Sequence, residues 1–297
     1  MQIGDSENGF LPSNKCRKFG CYWFDSCWLW AGHFGISGVV IAVCDFRVVD
    51  ESADWIVVDK PAPLIVHPAN GKAEPSLLGG LEQLLACELA NGGRLSVMTR
   101  LDRETSGLVF VAKSREAARE FGACSERHEI EKGYLAVVHG WPEWDEMTCA
   151  EPILRAGEVG ESAIWLRRRV HPAGKPCATR FRVRETFERD GRFVLVECVP
   201  VTGRTHQIRV HLESLRHPLV GDKIYGTDGR AYLEQLAGEV SESSWRALRL
   251  ARHALHASRM AVVLGGEELE WKSPLPDDLI RFIHGSPIQP HTHDSIA

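Results

Sequence analysis

The stretch TRLDRETSGLVFVAKS, residues 99–114, places one acidic residue between two arginines, directly before a polar turn and an apolar run. The five apolar residues 108–112 predict a β-strand buried on both faces, because a strand with one solvated face alternates polar and apolar residues. Asp102 therefore lies where a loop meets a strand of the hydrophobic core. Its carboxylate either forms an ordinary surface ion pair or is held in place for chemistry, and this stretch leaves both open.

Short strands and helices alternate on both sides of this stretch. Strands are predicted at 55–61, 133–140 and 192–203, and helices at 75–90, 115–126, 205–215 and 274–284. Ser76 and Ser114 are the predicted N-caps of the first two helices. Because no connection requires a parallel sheet, we expect an α+β fold with a mixed, mainly antiparallel sheet and flanking helices.

The composition is that of an ordinary globular protein, with 297 residues that are 44% hydrophobic and 25% charged. The nine cysteines are odd in number and contain no CxxC pair, which predicts mostly free thiols in a reducing compartment. The apolar segment 27–44 is interrupted by His33 and three glycines, so a membrane anchor is not expected.

The net charge of −5 is unevenly distributed along the chain. Residues 155–230 contain 15 Lys and Arg against 9 Asp and Glu, so this segment carries +6 and can form a basic face. The run 167–169 is three consecutive arginines. Such a run suits phosphate binding or a merely solvated surface, and the sequence does not decide between them.

Arg100 and Asp102 would share a face if the strand extended back to them. An adjacent arginine keeps a carboxylate ionised and fixes its orientation, as a carboxylate nucleophile requires. Exposed Arg–Asp pairs are nevertheless common and contribute at most about 1 kcal/mol. A further cluster, Lys132-Gly133-Tyr134, opens a strand, where a tyrosine can be core, a stacking surface for a base, or a proton carrier.

The stretch VTGRTHQIRVHLESLRHPLVGDKIYG, residues 201–226, is the second polar cluster. Arg204 lies at the predicted start of the helix, where it can reach a carboxylate or a phosphate. The other polar residues predicted away from the core are His206, Gln207, Arg209 and His211, and the following loop carries Asp222, Lys223 and Tyr225. The two helix histidines lie five residues, or about 140°, apart, so we expect no metal site.

Taken together and in this order, these motifs resemble the pseudouridine synthase family, in the branch named for the ribosomal large-subunit synthase A. The resemblance covers roughly residues 50 to 285. It rests on PAPLIVHPANGK (61–72), TRLDRETSGLVFVAKS, KGYLAVVHG (132–140), GRTHQIRVHLESLRHPLVGDKIYG (203–226), LHASRMAV (255–262) and SPLPDDL (273–279). It implies the fold expected above, with a cleft across the middle of the sheet.

The resemblance also implies roles for individual residues. Asp102 matches the catalytic aspartate, Arg204 the arginine that pairs with it across the cleft, and Tyr134 the active-site tyrosine that stacks on the base. Arg100 matches the arginine that replaces the flipped nucleotide. We further expect substrate contacts from Arg103, Lys132, Thr205, His206, Gln207 and Arg209. Thr99 departs from the family, which usually has histidine there.

The activity implied is the isomerisation of specific uridines to pseudouridine in structured ribosomal or transfer RNA, for which no cofactor or metal is needed. The implied domains are an N-terminal extension (1–47) without the S4-type RNA-binding domain, a catalytic domain (48–287) and a C-terminal tail (288–297). RNA affinity would then come from the catalytic domain, with its +6 segment as the candidate. We expect a cytoplasmic monomer without membrane attachment.

Two other functions fit the sequence less well. A catalytically inactive RNA-binding or ribosome-assembly factor on the same fold is disfavoured, because such a protein has no use for an ionised aspartate facing phosphates. A glycosidase would need a second acid placed opposite Asp102, and nothing in the sequence nominates one.

Overall fold

A computed structural model describes residues 45–68 and 74–285. Residues 1–44 of the predicted N-terminal extension, and the whole predicted tail 288–297, lie outside the described residues, so the domain boundaries stay predictions. The strands are β1 Arg47–Glu51, β2 Trp55–Lys60, β3 Ser96–Val97, β4 Ser106–Ala112, β5 Glu131–His139, β6 Glu146–Cys149, β7 Ile153–Arg155, β8 Arg168–Val170, β9 Thr179–Glu188, β10 Arg192–Pro200, β11 Leu255–Leu264 and β12 Glu267–Lys272.

The helices flank these strands and agree with most of the sequence predictions. They are α1 Leu77–Leu84, α2 Ala86–Ala90, α3 Arg115–Glu126, α4 Gln207–Ser214, α5 Arg230–Ala237, α6 Glu242–Leu248 and α7 Asp277–His284. The predicted helix 115–126 is confirmed at both ends, and Ser114 caps it by accepting from the Ala117 N–H at 3.2 Å. The helix predicted at 75–90 is instead two short helices that meet at Leu85.

Ten strands form one sheet, in the order β1-β2-β4-β11-β5-β10-β9-β6, with β3 on β4 and β12 on β11. The pairing of β4 with β11 is parallel, and the other pairs of this sheet are antiparallel. Strands β7 and β8 form a separate antiparallel pair. The predicted mixed, mainly antiparallel α+β fold is confirmed.

Strand β4 is buried along its whole length, as the apolar run predicts. Phe110 faces α3, where its ring stacks on Phe121 at a centroid distance of 4.2 Å. Val109 and Val111 face the opposite way and pack in the cluster that contains Leu81 of α1. Packing on both faces fixes β4, and with it the position of the loop that carries Asp102.

Gly107 allows the two central strands to meet. It has φ +112°, and a Cβ atom there would lie 2.2 Å from the Ala257 carbonyl oxygen of β11. Only glycine permits this approach, which brings the start of β4 against β11. The five cysteines within the described ranges are free, as predicted. No helix in residues 45–68 and 74–285 is long and apolar enough to cross a membrane.

Candidate active site

Asp102 lies in the loop between β3 and β4, not in a strand. The strand begins only at Ser106, so the expectation that Arg100 and Asp102 project from one strand face is wrong. A turn closes the loop, with the Thr105 N–H donating to the Asp102 carbonyl at 3.1 Å. The Asp102 side chain is 32% exposed and faces an open cleft.

Arg209 of α4 is the arginine that pairs with Asp102. Its Nη1 donates to Asp102 Oδ2 at 2.8 Å, while its Nε and Nη2 donate to the two carboxylate oxygens of Asp222 at 2.7 and 2.9 Å. Asp222 is fully buried and also accepts from the backbone N–H groups of Ile224 and Tyr225. The fork to Asp222 thus holds the guanidinium still and leaves one edge for Asp102.

The expected pairing of Arg204 with Asp102 is wrong. Arg204 is exposed and donates from Nε and Nη2 to the Pro176 carbonyl over long distances of 3.4 and 3.5 Å. The physical reason is that α4 begins two residues later than predicted, at Gln207, after His206 in the left-handed conformation. Arg204 therefore lies in the preceding turn, and the inward-facing arginine comes from the first turn of the helix.

Helix α4 is buried more completely than its sequence suggests. Gln207, Arg209 and His211, all predicted away from the core, are 4%, 5% and 0% exposed. The Gln207 amide donates to the Ala178 carbonyl and the Thr179 hydroxyl, and its oxygen accepts from Thr202 and from the Arg204 N–H. Its hydrogen bonds are all made within the protein, so the expected role of Gln207 in substrate binding is not supported.

His206 lies between Asp102 and Tyr225. The Tyr225 hydroxyl accepts from the Arg168 N–H at 3.0 Å and is hydrogen-bonded to His206 Nδ1, also at 3.0 Å. Burial, and then the charge of Arg209, lower the pKa of His206 to about 4. His206 is therefore a neutral imidazole at neutral pH, and its Nε2 faces Asp102 Oδ2 at 3.8 Å.

Asp102 is held ionised by its surroundings. Burial alone would raise the pKa of this carboxyl, but Arg209, with His206 and His253 adding less, lowers it below the ordinary value. A carboxylate that is both charged and fixed at the wall of a cleft can act as a nucleophile or as a base.

Of the two predicted site residues in β5, Tyr134 interacts electrostatically with Asp102, and no contact of Lys132 with Asp102 is observed. Burial, and then the negative charge of Asp102, raise the pKa of Tyr134, so its phenol stays protonated within electrostatic reach of the carboxylate. Burial lowers the pKa of Lys132. By contrast Arg100, Arg103 and Thr205 are exposed, and Arg103 forms a 3.4 Å ion pair with Glu74.

Sequence reasoning missed the groups that support the Asp102 loop from below. The fully buried Lys60 donates to the carbonyls of Pro61, Leu64 and Arg103, and burial lowers its pKa to about 7. Lys60 is the last residue of strand β2 and precedes a proline, a position that gives no signal of burial in the sequence. A second support joins the Thr105 hydroxyl to His253 Nε2 at 2.7 Å.

Glu104 connects this support to the loop after α4. It accepts from Lys223 Nζ at 2.6 Å and lies 3.6 Å from His253 Nδ1. The sequence signal for these supporting contacts is the GDKIYG segment, residues 221–226. Its adjacent residues Asp222 and Lys223 form ion pairs with different partners, Arg209 and Glu104. The cleft beside these groups is lined by residues from distant parts of the chain: Lys60, Asp102, His206, Arg209, His253 and Trp245.

Comparisons with known proteins show which proteins this chain is similar to. A model of the family described as RNA pseudouridylate synthase matches residues 54–214. A relative from Nitrosomonas europaea named ribosomal large subunit pseudouridine synthase D is 36% identical over 249 residues, 83% of this chain and 67% of the relative. Its namesake from Escherichia coli is 37% identical over 243 residues, 80% of this chain and 69% of the relative.

Solved structures give the same fold. The human RNA pseudouridylate synthase domain containing 1 superposes with a TM-score of 0.59 at 24% identity, covering 83% of this chain and 97% of the other. The human domain containing 4 superposes with a TM-score of 0.62 at 22% identity, covering 80% and 92%. At these identities the likeness concerns the fold alone.

Proposed function

The chain belongs to the RNA pseudouridylate synthase family, in the branch of the ribosomal large-subunit synthases, and we propose that it isomerises uridine in ribosomal RNA with Asp102 as the catalytic carboxylate. The observation that carries the assignment of Asp102 is its ion pair with the immobilised Arg209 at 2.8 Å on the wall of an open cleft. Ribosomal RNA as substrate is supported by the names of the relatives from N. europaea and E. coli.

The reaction sets the demands on the site. The N1–C1′ bond of uridine breaks, the uracil ring turns over, and a new bond joins C5 to C1′. The C5 hydrogen then leaves as a proton and N1 takes up a proton, so substrate and product are isomers and no net oxidation occurs. A carboxylate at the sugar can either attack C1′ or remove a sugar proton to start elimination, and both routes require it to be ionised.

The surroundings of Asp102 fit these demands. Arg209 neutralises part of the charge of Asp102. The Arg209 guanidinium cannot reorient, because two of its nitrogens are bound to Asp222. The neutral His206 places its Nε2 3.8 Å from the same carboxylate oxygen. Tyr134, whose phenol stays protonated within electrostatic reach of Asp102, is proposed to stack on the flipped uracil.

Arg100 completes the proposal on the outside of the cleft. Its exposed side chain directly precedes the Asp102 loop, where it can occupy the place that the flipped nucleotide leaves in the RNA. Lys132, Arg103 and Thr205 are proposed to contact the RNA around it. A monomeric, cytoplasmic enzyme is part of the same proposal.

Release of tritium from RNA labelled at uridine C5 tests the reaction, because that hydrogen leaves only when C5 is rejoined to the sugar. The substrate is a labelled transcript of large-subunit ribosomal RNA, and wild type is compared with the isosteric Asp102→Asn. We expect release by the wild type and none by the variant. If neither releases tritium from a transcript that both bind, the enzymatic assignment for ribosomal RNA is refuted and a binding function takes its place.

A further inference from the structure

The three consecutive arginines that begin at the end of the β7–β8 loop have three different environments. Arg167 donates to Asp228 at 2.7 Å and to Glu213 at 3.1 Å, so it holds the loop to α4 and to the turn before α5. Arg169 is exposed. Arg168 is partly buried, and its side chain makes no hydrogen bond or ion pair with residues 45–68 or 74–285.

The Nε atom of Arg168 is buried and has no hydrogen-bond partner within those described ranges. A buried polar group without a partner destabilises the folded protein, and more so when it is charged. The carboxylates of this region are already bound to other arginines: Glu213 and Asp228 to Arg167, Asp222 to Arg209. The side chain of Arg168 is therefore a cation that lacks an anion.

The strand pairing increases this imbalance. Arg168 of β8 lies directly opposite Arg155 of β7, and like charges in opposite positions of an antiparallel pair repel. The Arg155 guanidinium lies over the exposed ring of Trp165, with its central carbon 3.6 Å from the ring centroid. The other two pairs of this ladder, Ile153 with Val170 and Leu154 with Arg169, contain no acidic residue, and the carboxylate of Glu158 lies 3.7 Å from Nε of Arg155, not beside Arg168.

Arg168 is also linked to the catalytic group through two intervening side chains. Its backbone N–H donates to the Tyr225 hydroxyl, which is hydrogen-bonded to His206, which faces Asp102. After burial and Arg209, the charge of Arg168 contributes to the lowered pKa of His206, so the guanidinium lies within electrostatic reach of the imidazole. Two residues earlier, Leu166 lines the same cleft as Asp102.

We propose that Arg168 binds a backbone phosphate of the RNA strand beside the target uridine. The proposal rests on the proposed function, because a polyanion must approach a permanently ionised carboxylate. An RNA phosphate brought near Asp102 is repelled by it, and a cation with free donors at that place offsets the repulsion. The phosphate oxygens would accept from the terminal guanidinium nitrogens of Arg168, which have no partner within the described residues, while the buried Nε stays inside the protein.

Three variants test this proposal with the ribosomal RNA transcript used above. Arg168→Gln removes the charge, Arg168→Lys keeps it as a point charge, and Arg169→Gln removes the same charge from the opposite face of the strand. The Kd for the transcript is measured between 50 and 300 mM KCl, together with kcat and KM for tritium release and the melting temperature of each variant.

Loss of one phosphate contact lowers the slope of log Kd against log salt by about 0.7 to 0.9. We expect this change in Arg168→Gln, with an approximately tenfold rise in Kd and KM at 150 mM KCl and a kcat within twofold of wild type. We expect Arg168→Lys to keep the wild-type slope and Arg169→Gln to change it by less than a third as much.

Two results would overturn the proposal. The first is an Arg168→Gln slope equal to that of the wild type or of Arg169→Gln. The second is a lower kcat with a shifted pH profile and an unchanged slope, which would mean that Arg168 acts only through His206. A wild type that releases no tritium refutes the proposed reaction instead, and the binding slopes still decide the role of Arg168 independently.

Discussion

Replacing Arg209 by lysine should disable the enzyme although the positive charge is kept. Arg209 makes three charged hydrogen bonds, two to Asp222 at 2.7 and 2.9 Å and one to Asp102 at 2.8 Å. A lysine ammonium has no fork, so it cannot bind both oxygens of Asp222 and still reach Asp102. At least one of the two carboxylates loses its partner.

The magnitude follows from burial. Asp222 is 0% exposed, and breaking a buried ion pair costs about 3–5 kcal/mol, so we expect Arg209→Lys to lower the free energy of unfolding by about that amount. Asp102 also loses the partner that fixes it, and a misplaced reacting group costs about 100-fold in kcat, equivalent to about 2.7 kcal/mol. Urea unfolding measures the first effect and single-turnover tritium release the second.

Arg204→Lys is the matched control. Arg204 is exposed and makes only two long hydrogen bonds to one carbonyl, so we expect a change below about 0.5 kcal/mol in unfolding free energy and a kcat within threefold. The reverse pattern, with Arg204→Lys inactive and Arg209→Lys active and stable, would refute the assignment of Arg209 as the partner of Asp102. If Arg209→Lys is too unstable to assay, the control still decides whether Arg204 is needed.

Three further predictions concern the same cluster. Asp222→Asn should lower the free energy of unfolding by about 3 kcal/mol or more in urea titrations. Asp228→Asn, at a 90% exposed carboxylate, should change it by less than about 1 kcal/mol. Equal effects of the two substitutions would contradict the role of Asp222 as the buried partner of Arg209. Because the folded-state pKa of His206 is lowered to about 4, the unfolded chain binds a proton at this histidine before the folded protein does. The free energy of unfolding should therefore fall by up to about 3 kcal/mol as the pH decreases from about 6.5 towards 4. His206→Gln should reduce this pH dependence, whereas His67→Gln, at an exposed histidine, should leave it in place. Tyr134→Phe should keep kcat within about fivefold of wild type, whereas Tyr134→Ala should lower kcat about 100-fold or more. The reason is that a phenol whose pKa is raised is a poor proton carrier, while its ring can still stack on a base. A phenylalanine variant as slow as the alanine variant would instead assign the hydroxyl a chemical role.

Local signals predicted the elements well where local physics determines them. Ser114 and the apolar pattern after it fixed both ends of α3 in the prediction, because an N-cap and an amphipathic face act within one or two turns. The apolar run 108–112 predicted a strand buried on both faces, and packing against α1 and α3 confirms it. These inferences need no knowledge of distant residues.

The pairing of Asp102 could not be predicted in the same way. Choosing between Arg204 and Arg209 requires the start of α4, which is set by the left-handed residue His206 and by the Gln207 side chain bound to the preceding turn. It also requires Asp222, a carboxylate far along the chain that turns Arg209 inward. Residues 207–212 of α4 are all buried, so this part of the helix has no exposed polar face. The sequence pattern therefore gives no indication of the direction in which Arg209 points.

Arg209 and Arg168 differ in which of their hydrogen-bond donors remain free. An arginine close to a polyanion is drawn to phosphate, because its fork matches phosphate oxygens as well as carboxylate oxygens. If Arg209 were held by Asp102 alone, an arriving RNA strand could compete for it and leave the carboxylate unpaired. The two hydrogen bonds from Arg209 to Asp222 prevent this, because breaking them would leave the fully buried Asp222 carboxylate without a partner. Arg168, without a side-chain partner in the described ranges, is the group that can take the phosphate. Asp222 thus separates the two tasks, and its loss should both weaken the Asp102 pair and let Arg209 bind RNA, raising the salt slope of Asp222→Asn above that of the wild type.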